Sequence, residues 1–150
     1  MAVRVGDALP PISAPTHTGP LNLGDFRGSK SIVLWAYPKD MTSGCTSEAR
    51  DFSRLSPAFA ELDAVTVGIS RDTADSHRAF AAQNDLTIPL LSDPDGKICS
   101  MLGILPDPSG NPKRTTFIVD KTGAIRYIFE AVKVPGHAEQ VLEKVREMNS

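Results

Sequence analysis

The sequence predicts an α/β domain: a central mixed β-sheet flanked by helices on both faces, with a short N-terminal hairpin as an extension. Three observations predict it. Ser31 to Tyr37 (SIVLWAY) and Ala64 to Ser70 (AVTVGIS) are almost unbroken apolar runs, the composition of strands covered on both sides. Each is followed by a stretch of helical character, which makes a strand–helix–strand–helix order. Finally, Thr115 to Val119 and Ala124 to Phe129 lie on either side of Asp120-Lys121-Thr122-Gly123 and read as an antiparallel pair joined by a longer turn.

In chain order, the segment Gly6 to Gly28 is rich in proline and glycine. Within it, Ile12 to Ala14 and Pro20 to Leu23 form the predicted hairpin around Thr18-Gly19, and Asp25 to Gly28 reads as a turn or single helical turn. Pro38 ends the first core strand. Phe52, Leu55, Phe59 and Leu62 then recur at three- to four-residue spacing, one side of a helix with Thr42 or Ser43 as its N-cap. Pro57 falls inside that helix and predicts a kink or restart there. Thr73 to Asn84 reads as a helix with Phe80 and the alanines inward, and Ile88 to Leu91 as a third short strand. Asp93-Pro94-Asp95-Gly96 caps a short helix from about Lys97 to Leu102, and Pro106 to Pro112 is a solvated turn. His137 to Met148 closes the chain as an amphipathic helix with Val141, Leu142, Val145 and Met148 on its apolar side. A thioredoxin-like fold, as a single domain over residues 1–150, is the simplest architecture with this order.

Composition narrows the function. At 150 residues one domain buries a substantial core without a disulfide scaffold. A formal net charge of −2 with no basic run gives no electrostatic support to nucleic-acid or membrane-surface binding. No signal-like or membrane-spanning apolar stretch is present, so the expected compartment is the cytosol. There, two cysteines read as reactive or buried thiols.

Cys45 is the candidate nucleophile, because the predicted N-cap puts it in the first turn of its helix. Unpaired N–H groups and the helix dipole favour thiolate there, but a helix terminus contributes only about 0.3–2 kcal/mol. A strongly activated thiolate therefore calls for a second cation or strong donor nearby. The alternative for Cys45 is a small buried core residue. Trp35 and Tyr37 alternate along their strand and read as core. His17, His77 and His137 lie in three separate segments and lack metal-ligand spacing with either cysteine; each reads as an exposed or loop histidine. No metal or cofactor is implied. Position 42 or 48 would be cysteine in a Cys-x-x-Cys oxidoreductase, but these are Thr42 and Glu48, and nothing places an imidazole base beside Cys45 as a cysteine hydrolase requires.

The segment YPKDMTSGCTSEARDF resembles the active-site segment of the peroxiredoxins, whose P-x-x-x-T-x-x-C signature is met by Pro38, Thr42 and Cys45. The lead-in SIVLWAYPKD and the following C-T-x-E are similar to the bacterioferritin-comigratory-protein or PrxQ subgroup. Likeness continues through Gly6-Asp7 with its following prolines, VGISRD, LLSDPDGKICSMLGI and KRTTFIVDKTG, nearly the whole chain in order. The resemblance implies that Arg114 is the missing cation, that Glu48 orients it, that Thr42 places a hydroxyl at the sulfur, and that Pro38 shields the pocket. It implies reduction of hydrogen peroxide and small organic hydroperoxides through a sulfenic acid on Cys45. A peroxide sensor that does not turn over is the non-enzymatic alternative.

One departure from the subgroup concerns recycling. A resolving cysteine five residues after Cys45 would be at Arg50, and one on the next helix would fall within Phe80 to Ala82; neither site has one. Cys99 is the remaining thiol, read as structural, with a resolving role as the alternative. The sulfenic acid is then reduced by an external thiol: thioredoxin, glutaredoxin or a low-molecular-weight thiol. Monomer and weak homodimer are both compatible with the near-neutral charge.

Overall fold

The computed structural model describes residues 3–149. Strands β1 (Ser13–Thr16), β2 (Gly19–Asn22), β3 (Ser31–Ala36), β4 (Ala64–Ser70), β5 (Leu90–Ser92), β6 (Thr115–Val119) and β7 (Ile125–Phe129) form one sheet in the order β2-β1-β5-β4-β3-β6-β7. Helices α1 (Ser43–Glu61), α2 (Ala74–Asn84), α3 (Lys97–Met101) and α4 (His137–Asn149) complete it. Strand β3 runs parallel to β4 and antiparallel to β6, so the sheet is mixed. The fold is thioredoxin-like, as the element order predicts.

The two faces of β3 divide the core. Val33, Trp35 and Tyr37 point to one side, where they pack with Cys45, Ala49, Phe52 and Phe59 of α1, Phe80 of α2 and Val141 and Val145 of α4. Ile32, Leu34 and Ala36 point to the other, against Ile12, Leu23, Cys99, Leu102 and Phe117. Every residue of β3 is buried, which explains why alternation is invisible in its sequence. Trp35 stacks on Tyr37 at 4.7 Å and on Phe52 at 5.2 Å between ring centroids. A Cβ on Gly68 would sit 2.7 Å from the indole, so glycine in β4 is what admits a tryptophan at position 35.

Three expectations change. Helix α1 runs unbroken through Pro57, whose ring lies on the exposed side of the helix while Phe52 and Phe59 hold the buried side across it. Packing outweighs the missing backbone bond. The hairpin turns at His17-Thr18, with Thr16 opposite Gly19, and it is an edge of the main sheet because Thr16 also pairs with Leu91 of β5. The third strand begins two residues later than the apolar run suggests and ends one later, over Leu90–Ser92, where β4 supplies its partners Gly68 to Ser70.

Candidate active site

The site is assembled at the carboxyl end of β3. The chain leaves the sheet at Tyr37, turns through Pro38 to Met41 and enters α1, with Thr42 as the N-cap residue and Cys45 in the first turn. Cys45 is completely buried. Strand β6 brings the partner from far along the chain: Thr115 pairs with Ala36, so the residue before it, Arg114, stands beside the point where β3 ends. Arg114 donates from Nη2 to the Cys45 sulfur at 3.2 Å and from Nη1 to Oε1 of Glu48 at 2.5 Å. The guanidinium thus bridges a thiol and a carboxylate one helical turn apart, a fork geometry that a lysine does not offer.

Such an arrangement stabilises negative charge on sulfur through the helix terminus and a fixed cation together. The AhpC/TSA family model matches residues 5–128. The chain belongs to the AhpC/TSA family. A peroxiredoxin Bcp of Bacillus subtilis is 35% identical over 99% of both chains, and a putative peroxiredoxin bcp of Coxiella burnetii is 36% identical over 97% of this chain and all of its own. Among solved structures, a PrxQ mutant of Xylella fastidiosa superposes with a TM-score of 0.93 at 32% identity, covering 100% of this chain and 99% of the other. The Xanthomonas campestris bacterioferritin comigratory protein, whose structures address alkyl peroxide reduction, superposes with a TM-score of 0.85 at 30% identity, covering 93% and 92%. This peroxiredoxin is accordingly a thiol-dependent peroxidase.

Within it, Pro38 and Thr42 lie in the segment between β3 and α1, Cys45 and Glu48 one turn apart on α1, and Arg114 just before β6. Thr42 is exposed, and its hydroxyl donates to the Lys39 carbonyl at 3.1 Å, so it braces the loop and makes no side-chain cap. Gly44 was not singled out by sequence. A Cβ there would lie 3.3 Å from Arg114 Nη2, so the bare backbone leaves room for the guanidinium over the helix end.

Cys99 is elsewhere. It packs in the core on the opposite face of the sheet from Cys45, and both thiols are free and buried. Its backbone N–H donates to Asp93 at 2.8 Å. Burial, then the neighbouring Asp93 carboxylate, push its thiol well above the ordinary range, so it is a poor nucleophile.

Two histidines contradict the exposed or loop reading. His77 is fully buried on α2, with Nδ1 2.8 Å from Asp40 Oδ2. His137 is also buried; its Nε2 lies 2.8 Å from the Thr116 hydroxyl and its ring meets Phe52 and Phe129 edge-on. Burial lowers its pKa. Spacing carried the signal for His77, because it precedes Phe80 and Ala81 by three and four residues and shares their inward face.

Glu48 yields a prediction about pH. Its carboxyl is pushed up to about 7 by burial, with the Arg114 guanidinium offsetting part of the rise, and its Oε2 has no hydrogen-bond partner among the described residues. The folded chain therefore holds a proton that the unfolded chain releases near 4.5, so this group's contribution to stability falls as pH rises from 4.5 to about 7. Glu48→Gln removes that titration. Its melting temperature is expected to fall less than that of the wild type between about pH 5 and about pH 8, a difference readable by thermal denaturation across pH.

Proposed function

We propose that this peroxiredoxin reduces hydrogen peroxide and small organic hydroperoxides with Cys45 as the attacking thiolate, in a one-cysteine cycle closed by an external thiol. The observation that carries the reading is the Arg114 guanidinium bonded to both the Cys45 sulfur and Glu48. The thiolate attacks the near peroxide oxygen, the O–O bond breaks, and its electron pair leaves on the far oxygen as hydroxide or alkoxide, which takes a proton from water. Cys45 becomes a sulfenic acid. Arg114 and the free N–H groups at the start of α1 stabilise the departing oxygen. Glu48 keeps the guanidinium aimed. Pro38 limits water at the sulfur, and Thr42 adds a hydroxyl once its bond to Lys39 rearranges.

An external thiolate then attacks the sulfenic sulfur and displaces hydroxide, which takes a proton from solvent to become water, leaving a mixed disulfide that a second thiol cleaves. A thioredoxin, a glutaredoxin or a small thiol fits this step. The position of Cys99 across the sheet favours the one-cysteine cycle, because a bridge needs Cα atoms within about 7 Å. The test is steady-state peroxide consumption driven by excess dithiothreitol. Cys99→Ser is expected to keep the wild-type rate; loss of turnover in that variant would overturn the one-cysteine cycle. A sensor would consume one equivalent of peroxide and stop.

A further inference from the structure

Asp40 is the hub of a buried network that the chemistry above does not use. It lies two residues before Thr42 and is almost completely shielded. Its backbone N–H donates to Asp72 Oδ2 at 2.9 Å, Oδ1 accepts from the Tyr37 hydroxyl at 2.6 Å, and Oδ2 accepts from the Ser76 hydroxyl and from His77 Nδ1, both at 2.8 Å. His77 in turn places Nε2 3.0 Å from the Leu91 carbonyl of β5. One ring thus joins the loop before α1 to β5, and it has no exposed surface. Asp40, Asp72 and His77 also stand close enough together to suggest a metal site, but the atoms that converge are occupied by one another and by Ser70 and Ser76.

The network ties the loop in front of Cys45 to α2 and β5. Next to Asp40, Met41 is 46% exposed and is held at φ 71°, a conformation that costs a non-glycine residue energy and persists only where its surroundings impose it. The loop is thus clamped from inside while its outer residue is strained. Cys45 has no exposed surface in this state. Hydrogen peroxide is a molecule of two oxygens, but a reducing thiol carries its sulfur on a larger body and needs an in-line path to the sulfenic sulfur.

We infer that His77 and Asp40 form a latch that holds the β3–α1 loop closed over Cys45, making His77 a positioning residue whose hold on Asp40 sets how readily the sulfenic acid is opened to an external thiol. The inference rests on Cys45 being the oxidised thiol. Weakening the latch raises the minor open population and leaves the major closed one nearly unchanged. The two half-reactions therefore respond differently. In His77→Gln and Asp40→Asn, reduction of the preformed sulfenic acid by dithiothreitol is expected to quicken about tenfold, while its formation by hydrogen peroxide changes less than about twofold. At matched peroxide excess, the fraction driven on to sulfinic acid falls.

Val145→Ala, in the α4 core, serves as the control for simple destabilisation, with melting temperature lowered and the reduction rate kept. Ser76→Ala removes a single bond to Asp40 and is expected to move the reduction rate in the same direction by less, and it carries the test if the other two fail to fold. An unchanged or slower reduction step in the latch variants, or an equal rise in Val145→Ala, would overturn the latch. If the wild type itself forms no sulfenic acid on Cys45, the proposed cycle fails instead, and the two failures are distinguishable.

Discussion

Cys45→Ser is expected to abolish peroxide consumption while leaving the fold intact. The replacement is nearly isosteric in a site with no exposed surface, so packing against Ala49 and Phe52 survives and the melting temperature should move little. Chemistry does not survive. A serine hydroxyl stays protonated beside Arg114, is a far poorer nucleophile toward oxygen, and forms no counterpart of the sulfenic acid. Peroxide loss in the presence of excess dithiothreitol, with circular dichroism as the folding control, measures the effect. Retained turnover would remove Cys45 from the mechanism.

Arg114→Met is expected to slow oxidation of Cys45 by about 10²–10³-fold, the loss typical when one donor aimed at developing charge is removed. Methionine keeps much of the aliphatic length and removes the fork. Two consequences follow from one guanidinium that touches both Sγ and Glu48. The Cys45 sulfur loses its nearest donor, and the departing oxygen loses its cation, both of which the oxidation rate reads. Stability also changes, because Glu48 is left buried without a partner, and such an uncompensated buried charge costs about 3–5 kcal/mol unless it takes up a proton. The variant should therefore gain stability toward lower pH relative to the wild type. A normal oxidation rate would show that the helix terminus alone suffices.

Much of this was legible in the sequence because local pattern and tertiary demand agree. The strands Ala64–Ser70 and Thr115–Val119 match their runs to the residue, since the second is buried throughout and the first everywhere but at Val65. The P-x-x-x-T-x-x-C spacing likewise locates Cys45 in the first turn of α1. Arg114 is different. Its contact with Cys45 spans 69 residues and depends on the register between β3 and β6, which no local pattern encodes, so it was reachable only through likeness to a family.

The histidines were misread for a related reason. A buried histidine needs partners to be tolerated, and those of His77 come from the loop after β3 and from β5, those of His137 from β6. Cys99 could be counted from sequence, but the face it packs on could not. That single fact, on opposite sides of the sheet from Cys45, weighs most against an internal disulfide.

The most direct measurement is intact-protein and peptide mass spectrometry after one equivalent of hydrogen peroxide, with a sulfenic-acid trap present, on the wild type and on Cys99→Ser. The account predicts that both proteins take up the trap to the same extent and that it maps to the peptide holding Cys45. Loss of two hydrogens from the wild type without trap uptake, together with trapping in Cys99→Ser alone, would contradict it and make Cys99 the resolving thiol.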